Sequence, residues 1–148
     1  MKRTLPDAAA TEAFGAELAR SLRDREGLVV YLRGDLGAGK TTLVRGLLRA
    51  LGVSGRIRSP TYTLMEPYRA GERSVIHLDL YRIADPLELN NLGLVDFPPQ
   101  KTWWLIEWPE RGDSLLPPPD LQIDLRVAGE GREASLGGAA TNNLRFST

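Results

Sequence analysis

Gly34-Asp35-Leu36-Gly37-Ala38-Gly39-Lys40-Thr41 fits the pattern G-x-x-x-x-G-K-[ST] at every fixed position. What such an octet means depends on its flanks. Before it stands Leu28-Val29-Val30-Tyr31-Leu32, an unbroken apolar run of strand length. A run with no polar alternation is expected where both faces of a parallel sheet are covered. After it, Val44, Leu47, Leu48 and Leu51 recur at i, i+3, i+4 and i+7, and Gly52 follows. That spacing predicts a helix closed by glycine. Strand, glycine-rich turn and helix in this order disfavour a merely decorative turn.

The chemistry of each position then follows. Glycines let the backbone curl so that successive N–H groups point into one cavity. A helix starting near Lys40 aims the positive end of its dipole at the same place. Gly37, Ala38, Gly39 and Lys40 therefore read as a cradle for phosphate, with the Lys40 ammonium reaching the β- and γ-phosphates. The Thr41 hydroxyl is placed to ligate Mg²⁺. No Asn-Lys-x-Asp tetrapeptide, the usual guanine reader, occurs in the chain, so ATP is expected rather than GTP.

Such a site needs a carboxylate at the carboxyl end of a neighbouring strand. Two acids qualify. Glu107 ends the apolar run Trp103-Trp104-Leu105-Ile106, and Asp79 lies late in the strand expected over Val75–Tyr81. Glu107 is read as the metal ligand. Asp79 is read as acting on the metal through water or as positioning the attacking water. Ser59-Pro60-Thr61 falls where nucleotide switches hold a hydroxyl that senses the γ-phosphate. Arg58 and Arg82 are weaker candidates for phosphate contact. His77 reads as a strand-face residue. The tryptophans read as core, with Trp108 free to face the site.

Composition bounds the alternatives. The chain has 148 residues, expected as one domain over 1–136 with a small, polar, flexible tail over 137–148. It has no cysteine and one histidine, which excludes disulfides, zinc–thiolate and multi-histidine metal chemistry. Nineteen basic and nineteen acidic side chains cancel, unlike the basic balance of most nucleic-acid-binding modules. No run approaches the ~20 apolar residues of a membrane span, and no secretory signal is visible, so a soluble, cytoplasmic protein is expected. A helix is expected over about residues 8–24, a strand over Tyr62–Tyr68, and a short helix with Asp85 as N-cap and Pro86 first. Leu121–Leu125 alternates like a strand at a sheet edge, with 132–136 able to pair with it. The fold expected is a three-layer α/β P-loop NTPase fold, its central sheet mostly parallel with antiparallel edge strands.

Four blocks in this order resemble the TsaE (YjeE) family. They are Gly34–Thr42, Ser59-Pro60-Thr61-Tyr62-Thr63-Leu64, His77-Leu78-Asp79-Leu80-Tyr81-Arg82 and Ile106-Glu107-Trp108-Pro109. Asp85-Pro86 with Glu88-Leu89, and Gly131-Arg132-Glu133-Ala134, are also similar, and the resemblance runs from about Thr11 to Leu136. It implies a small bacterial, cytoplasmic P-loop ATPase needed for threonylcarbamoyladenosine formation on tRNAs that read codons starting with A. It implies ATP/ADP and Mg²⁺ as ligands and the TsaB and TsaD proteins as partners, with tRNA reached indirectly through their complex. By position, Lys40 and Thr41 bind phosphate and Mg²⁺, Thr42 contacts a phosphate, and Glu107 ligates the metal. Asp79 and Trp108 match functionally important positions, and Thr11 matches a threonine near the adenine. Leu87 departs from the acid often found after Asp-Pro, and the tail after Leu136 matches nothing recognisable.

Two other readings share Lys40, Thr41 and a carboxylate. A small-molecule kinase also needs an acceptor pocket and an arginine-rich lid. Residues 85–100 are too short for that and carry no arginine. A nucleotide-dependent binding module that does not hydrolyse is not separable from a slow ATPase by sequence. Weak hydrolysis is expected of the isolated chain, since no residue stands out as an arginine finger in cis.

Overall fold

In the computed structural model, which describes residues 1–146, seven strands form one mixed sheet. They are β1 (Lys2–Leu5), β2 (Leu28–Arg33), β3 (Met65–Ala70), β4 (Arg73–Asp79), β5 (Thr102–Glu107), β6 (Leu121–Ala128) and β7 (Gly131–Gly137). Their order is β1-β7-β6-β2-β5-β4-β3. The inner four, β6, β2, β5 and β4, are mutually parallel, and antiparallel strands flank them on both sides. This is the expected α/β class.

Two helices, α1 (Ala8–Leu22) and α2 (Lys40–Leu51), cover one face. Asp7 caps α1 by accepting from the Ala10 N–H at 2.8 Å. Phe14, Leu18 and Leu22 of α1 and Leu43, Val44, Leu47 and Leu48 of α2 bury against Leu28, Val30, Leu32, Trp103 and Leu105. The helices touch through backbone. A Cβ on Gly15 would collide with the Leu43 carbonyl oxygen, and one on Gly46 with that of Glu12. The opposite face packs Val29, Ile76, Leu78, Trp104 and Ile106 under Ile83, Leu89 and Leu116. Short 3-10 turns rather than α-helices form this third layer. The turn Pro86–Asn91 has the expected Asp85 cap, closed into a reciprocal capping box by Glu88.

Several expectations need correction. Leu121–Leu125 is not at an edge, because β6 lies between β2 and β7. Its alternation arises because Leu121, Ile123 and Leu125 face the helices while Asp124 and Arg126 face solvent that no turn covers. The true edges are β1, which the sequence reading missed, and β3. That strand starts at Met65 rather than Tyr62 and holds Pro67, a residue suited to an edge. The segment after Gly137, expected as a flexible tail, packs on the domain: Ala140 and Leu144 are buried in the main core and Phe146 lies 5.7 Å from the Phe14 ring. The last two positions of that expected tail, 147 and 148, lie outside the described residues. Among the described residues, no helix is long and apolar enough to cross a membrane.

Candidate active site

Parallel register brings Leu32, Glu107 and Asp79 side by side at the carboxyl ends of β2, β5 and β4. The loop from Gly34 to Gly39 rises from β2 and delivers the chain into α2. Gly37 and Gly39 have φ of 81° and 104°, a left-handed backbone that glycine adopts freely. Gly39 is the N-cap of α2 and no side chain caps the helix. The first amides of α2 therefore stay open to a cavity of about 280 Å³. That cavity is lined by Gly37, Ala38, Gly39, Lys40, Thr41 and Thr42 on one side and by Asp79, Glu107 and Trp108 on the other. Ser59 and Thr61 also line it, with their hydroxyls 2.8 Å apart.

Lys40 is 5% exposed. Its ammonium donates to the Gly34 carbonyl and, at 3.1 Å, to that of Asp35. It also lies 4.3 Å from the centre of the Trp108 ring. Burial pushes the Lys40 amine below its usual range, while the carboxylates of Glu107, Asp79, Glu110 and Asp35 oppose that shift. Trp108 reaches this place because its own backbone is left-handed, φ 56°. Its other neighbour is Tyr81, 5.0 Å between ring centres, and Arg111 lies over both rings.

Thr41 donates its hydroxyl to Glu107, at 3.0 Å to Oε2 and 3.3 Å to Oε1. Glu107 is 3% exposed, a carboxylate held at the cavity wall. Asp79 accepts the Tyr81 N–H at Oδ1, 3.1 Å away. Burial raises the Asp79 carboxyl above its usual range and nearby Glu107 adds to this; the Tyr81 hydrogen bond, His77 and Lys40 pull it back.

Lys40, Thr41, Thr42, Asp79, Glu107 and Trp108 thus line one cavity. Thr11 lies elsewhere, buried and donating to the Asp7 carbonyl at 3.3 Å. It lines a separate cavity of about 160 Å³ that shares Gly37, Gly39 and Thr42 with the first and is closed partly by Arg132. Arg132 in turn donates to the Gly37 carbonyl at 3.0 Å. Arg58 and Arg82 line neither cavity; the Arg82 guanidinium sits over Tyr62. Trp103 and Trp104 are core, as expected. His77 is a strand residue of β4, as expected, but it also meets the site. It is fully buried and its Nε2 is 2.6 Å from Glu107 Oε2. Its signal was a histidine inside an apolar strand, two residues before the acid.

Chemically, open helix amides and a buried ammonium make a receptor for phosphate oxygens. Thr41 and Glu107 add a hydroxyl and a carboxylate, hard oxygen donors that suit Mg²⁺. Among the described residues, no three His, Cys, Asp or Glu side chains are grouped to hold a metal by themselves. Thr41 and Glu107 would leave the remaining ligands of such a cation to phosphate and water.

An α/β domain with its glycine-rich loop between the central strand and a helix, facing two strand-end carboxylates, defines a P-loop-type protein. Residues 5–134 match the family described as Threonylcarbamoyl adenosine biosynthesis protein TsaE. The chain belongs to the TsaE family. It is 42% identical over 135 residues to the tRNA threonylcarbamoyladenosine biosynthesis protein TsaE of Haemophilus influenzae, covering 89% of this chain and 85% of that one. It is 43% identical over 120 residues to the protein of the same name from Synechocystis, covering 75% and 71%. The crystal structure of Bacillus subtilis YdiB is similar with a TM-score of 0.76 and 30% identity, covering 97% of this chain and 88% of that one.

Proposed function

We propose that this chain is a cytoplasmic, Mg²⁺-dependent ATPase subunit of tRNA threonylcarbamoyladenosine formation, acting with TsaB and TsaD. The pathway follows from family membership and the names of the relatives. One observation carries the nucleotide chemistry: Lys40, Thr41 and Glu107 converge on a single cavity roofed by the glycine-rich loop.

The amides at the start of α2 bind the phosphate chain, and Lys40 swings from its carbonyl partners to the β- and γ-oxygens. Thr41 and Glu107 would hold Mg²⁺. Magnesium, when bound, neutralises charge on the phosphate oxygens. Asp79 has one carboxylate oxygen engaged by the Tyr81 N–H, which leaves Oδ2 to orient a water. Its raised affinity for a proton suits it to accept one from that water as the water adds to the γ-phosphorus and the bond from that phosphorus to the β–γ bridging oxygen breaks, releasing ADP. Trp108 shields Lys40 from solvent on one side. Hydrolysis resets the partner complex between rounds, and tRNA is met through that complex.

The test measures phosphate release by the purified chain alone and with TsaB and TsaD, beside phosphate transfer to small acceptors. Slow turnover alone, stimulation by the partners and no transfer are expected. Lys40→Ala abolishes nucleotide binding or hydrolysis; an unaffected Lys40→Ala variant refutes the site, and efficient transfer to a small acceptor replaces the reading by a kinase.

A further inference from the structure

Glu107 is gripped from behind as well as from the front. Its Oε2 accepts the Thr41 hydroxyl at 3.0 Å and faces His77 Nε2 at 2.6 Å. His77 sits on β4, paired with Leu105 of β5, two pairs before Asp79 meets Glu107. It is 0% exposed; its neighbours along β4, Val75, Ile76 and Leu78, are buried and apolar, and its partner on β3 is Glu66. Its Nδ1 is buried without a hydrogen-bond partner among the described residues.

An ionised carboxylate only accepts hydrogen bonds, so the ring nitrogen facing it carries the proton. Nε2 is then the donor to Glu107, and Nδ1 is left over. An apolar side chain at this position would leave no orphan nitrogen. The imidazole's single polar contact is therefore the reason for its presence, and that contact selects one rotamer of Glu107.

We propose that His77 is a positioning residue: it pins Glu107 Oε2 so that the carboxylate stays beside the Thr41 hydroxyl at the cavity wall, ready to hold a divalent cation. The proposal rests on the reading of Glu107 given under Proposed function. Partners that orient a metal ligand are commonly worth 10–100-fold in metal affinity.

His77 is the only histidine in the chain, so its ring nitrogens give one unambiguous NMR signal set. In ¹⁵N-histidine-labelled wild type, a proton on Nε2 is expected, with a downfield signal that moves in Glu107→Gln. The second arm is equilibrium binding of ADP with Mg²⁺ and with EDTA, by calorimetry. His77→Leu is expected to weaken the Mg²⁺-dependent binding about tenfold or more while EDTA binding changes less than about twofold. His77→Gln, whose amide reaches the place of Nε2, is expected to restore most of the loss. Should His77→Leu not fold, His77→Gln against His77→Asn makes the same comparison, because the shorter amide does not reach. An Nδ1–H tautomer, a ring signal indifferent to Glu107→Gln, or equal metal dependence in His77→Leu overturns the proposal. Wild type that binds no nucleotide under either condition refutes the functional reading instead, and the NMR arm still decides whether His77 holds Glu107.

Discussion

Replacing Thr41 by valine keeps the shape of the side chain and deletes one hydroxyl. That hydroxyl donates to a carboxylate that is 3% exposed, so water replaces it poorly. A hydrogen bond to a charged group contributes about 1.5–3 kcal/mol net, and leaving a buried acceptor short of a partner puts the cost near the middle of that range. Thr41→Val is therefore expected to lose about 2 kcal/mol of folding stability. In a domain of about 150 residues this lowers Tm by roughly 4–8 °C. Urea unfolding of wild type, Thr41→Val, Glu107→Gln and the double variant isolates the pair. Glu107→Gln keeps a neutral acceptor, worth about 0.5–1.5 kcal/mol, so the coupling energy is expected near 1 kcal/mol. Coupling below about 0.3 kcal/mol, within the additivity of independent sites, would show that the two side chains do not meet as described.

Glu107→Ala is expected to weaken Mg²⁺-dependent nucleotide binding about 10- to 100-fold, the worth of a charge-assisted contact, and Asp79→Ala by less; calorimetry giving the opposite ranking exchanges their roles. Asp79→Asn is expected to stabilise the nucleotide-free fold at neutral pH. The folded carboxyl titrates above its unfolded value, so wild type loses stability as pH rises from the unfolded to the folded pKa, while the amide does not. Thermal melts should match below that window and diverge above it; parallel melts at all pH values contradict the burial of Asp79. Gly46→Ala should destabilise by at least about 1 kcal/mol despite alanine's better helix propensity, because its Cβ meets the Glu12 backbone, which cannot yield. A higher Tm would place the two helices further apart.

The elements with a strong local signature were readable from the chain. Leu28–Leu32 has no polar residue to orient it, so only a strand covered on both faces suits it, and the glycine octet after it allows little but a turn into a helix. Glu107 and Asp79 were legible because an acid ending an apolar run has few structural reasons to be there. What failed to show was decided by distant partners. Lys2-Arg3-Thr4-Leu5 buries only Leu5 and becomes a strand because β7 offers it a ladder. The interior place of β6 depends on β2, a parallel partner from far earlier in the chain. Ala140 and Leu144 look like tail until a core exists to receive them. His77 needed Glu107, thirty positions off, to acquire meaning. The turn of Trp108 toward Lys40 hinges on one left-handed residue that no local pattern announces.

The three indoles occupy two environments. Trp103 and Trp104 are sealed in the sheet's two faces, 0% and 4% exposed, each with its ring N–H satisfied by a carbonyl. Trp108 alone borders the cavity, with an ammonium on its face and a tyrosine at its side. Emission from the first two is shielded from events at the loop, whereas any guest that draws Lys40 away changes the electric field on the third. The chain carries its own optical gauge of occupancy, and a variant lacking only that indole supplies the blank.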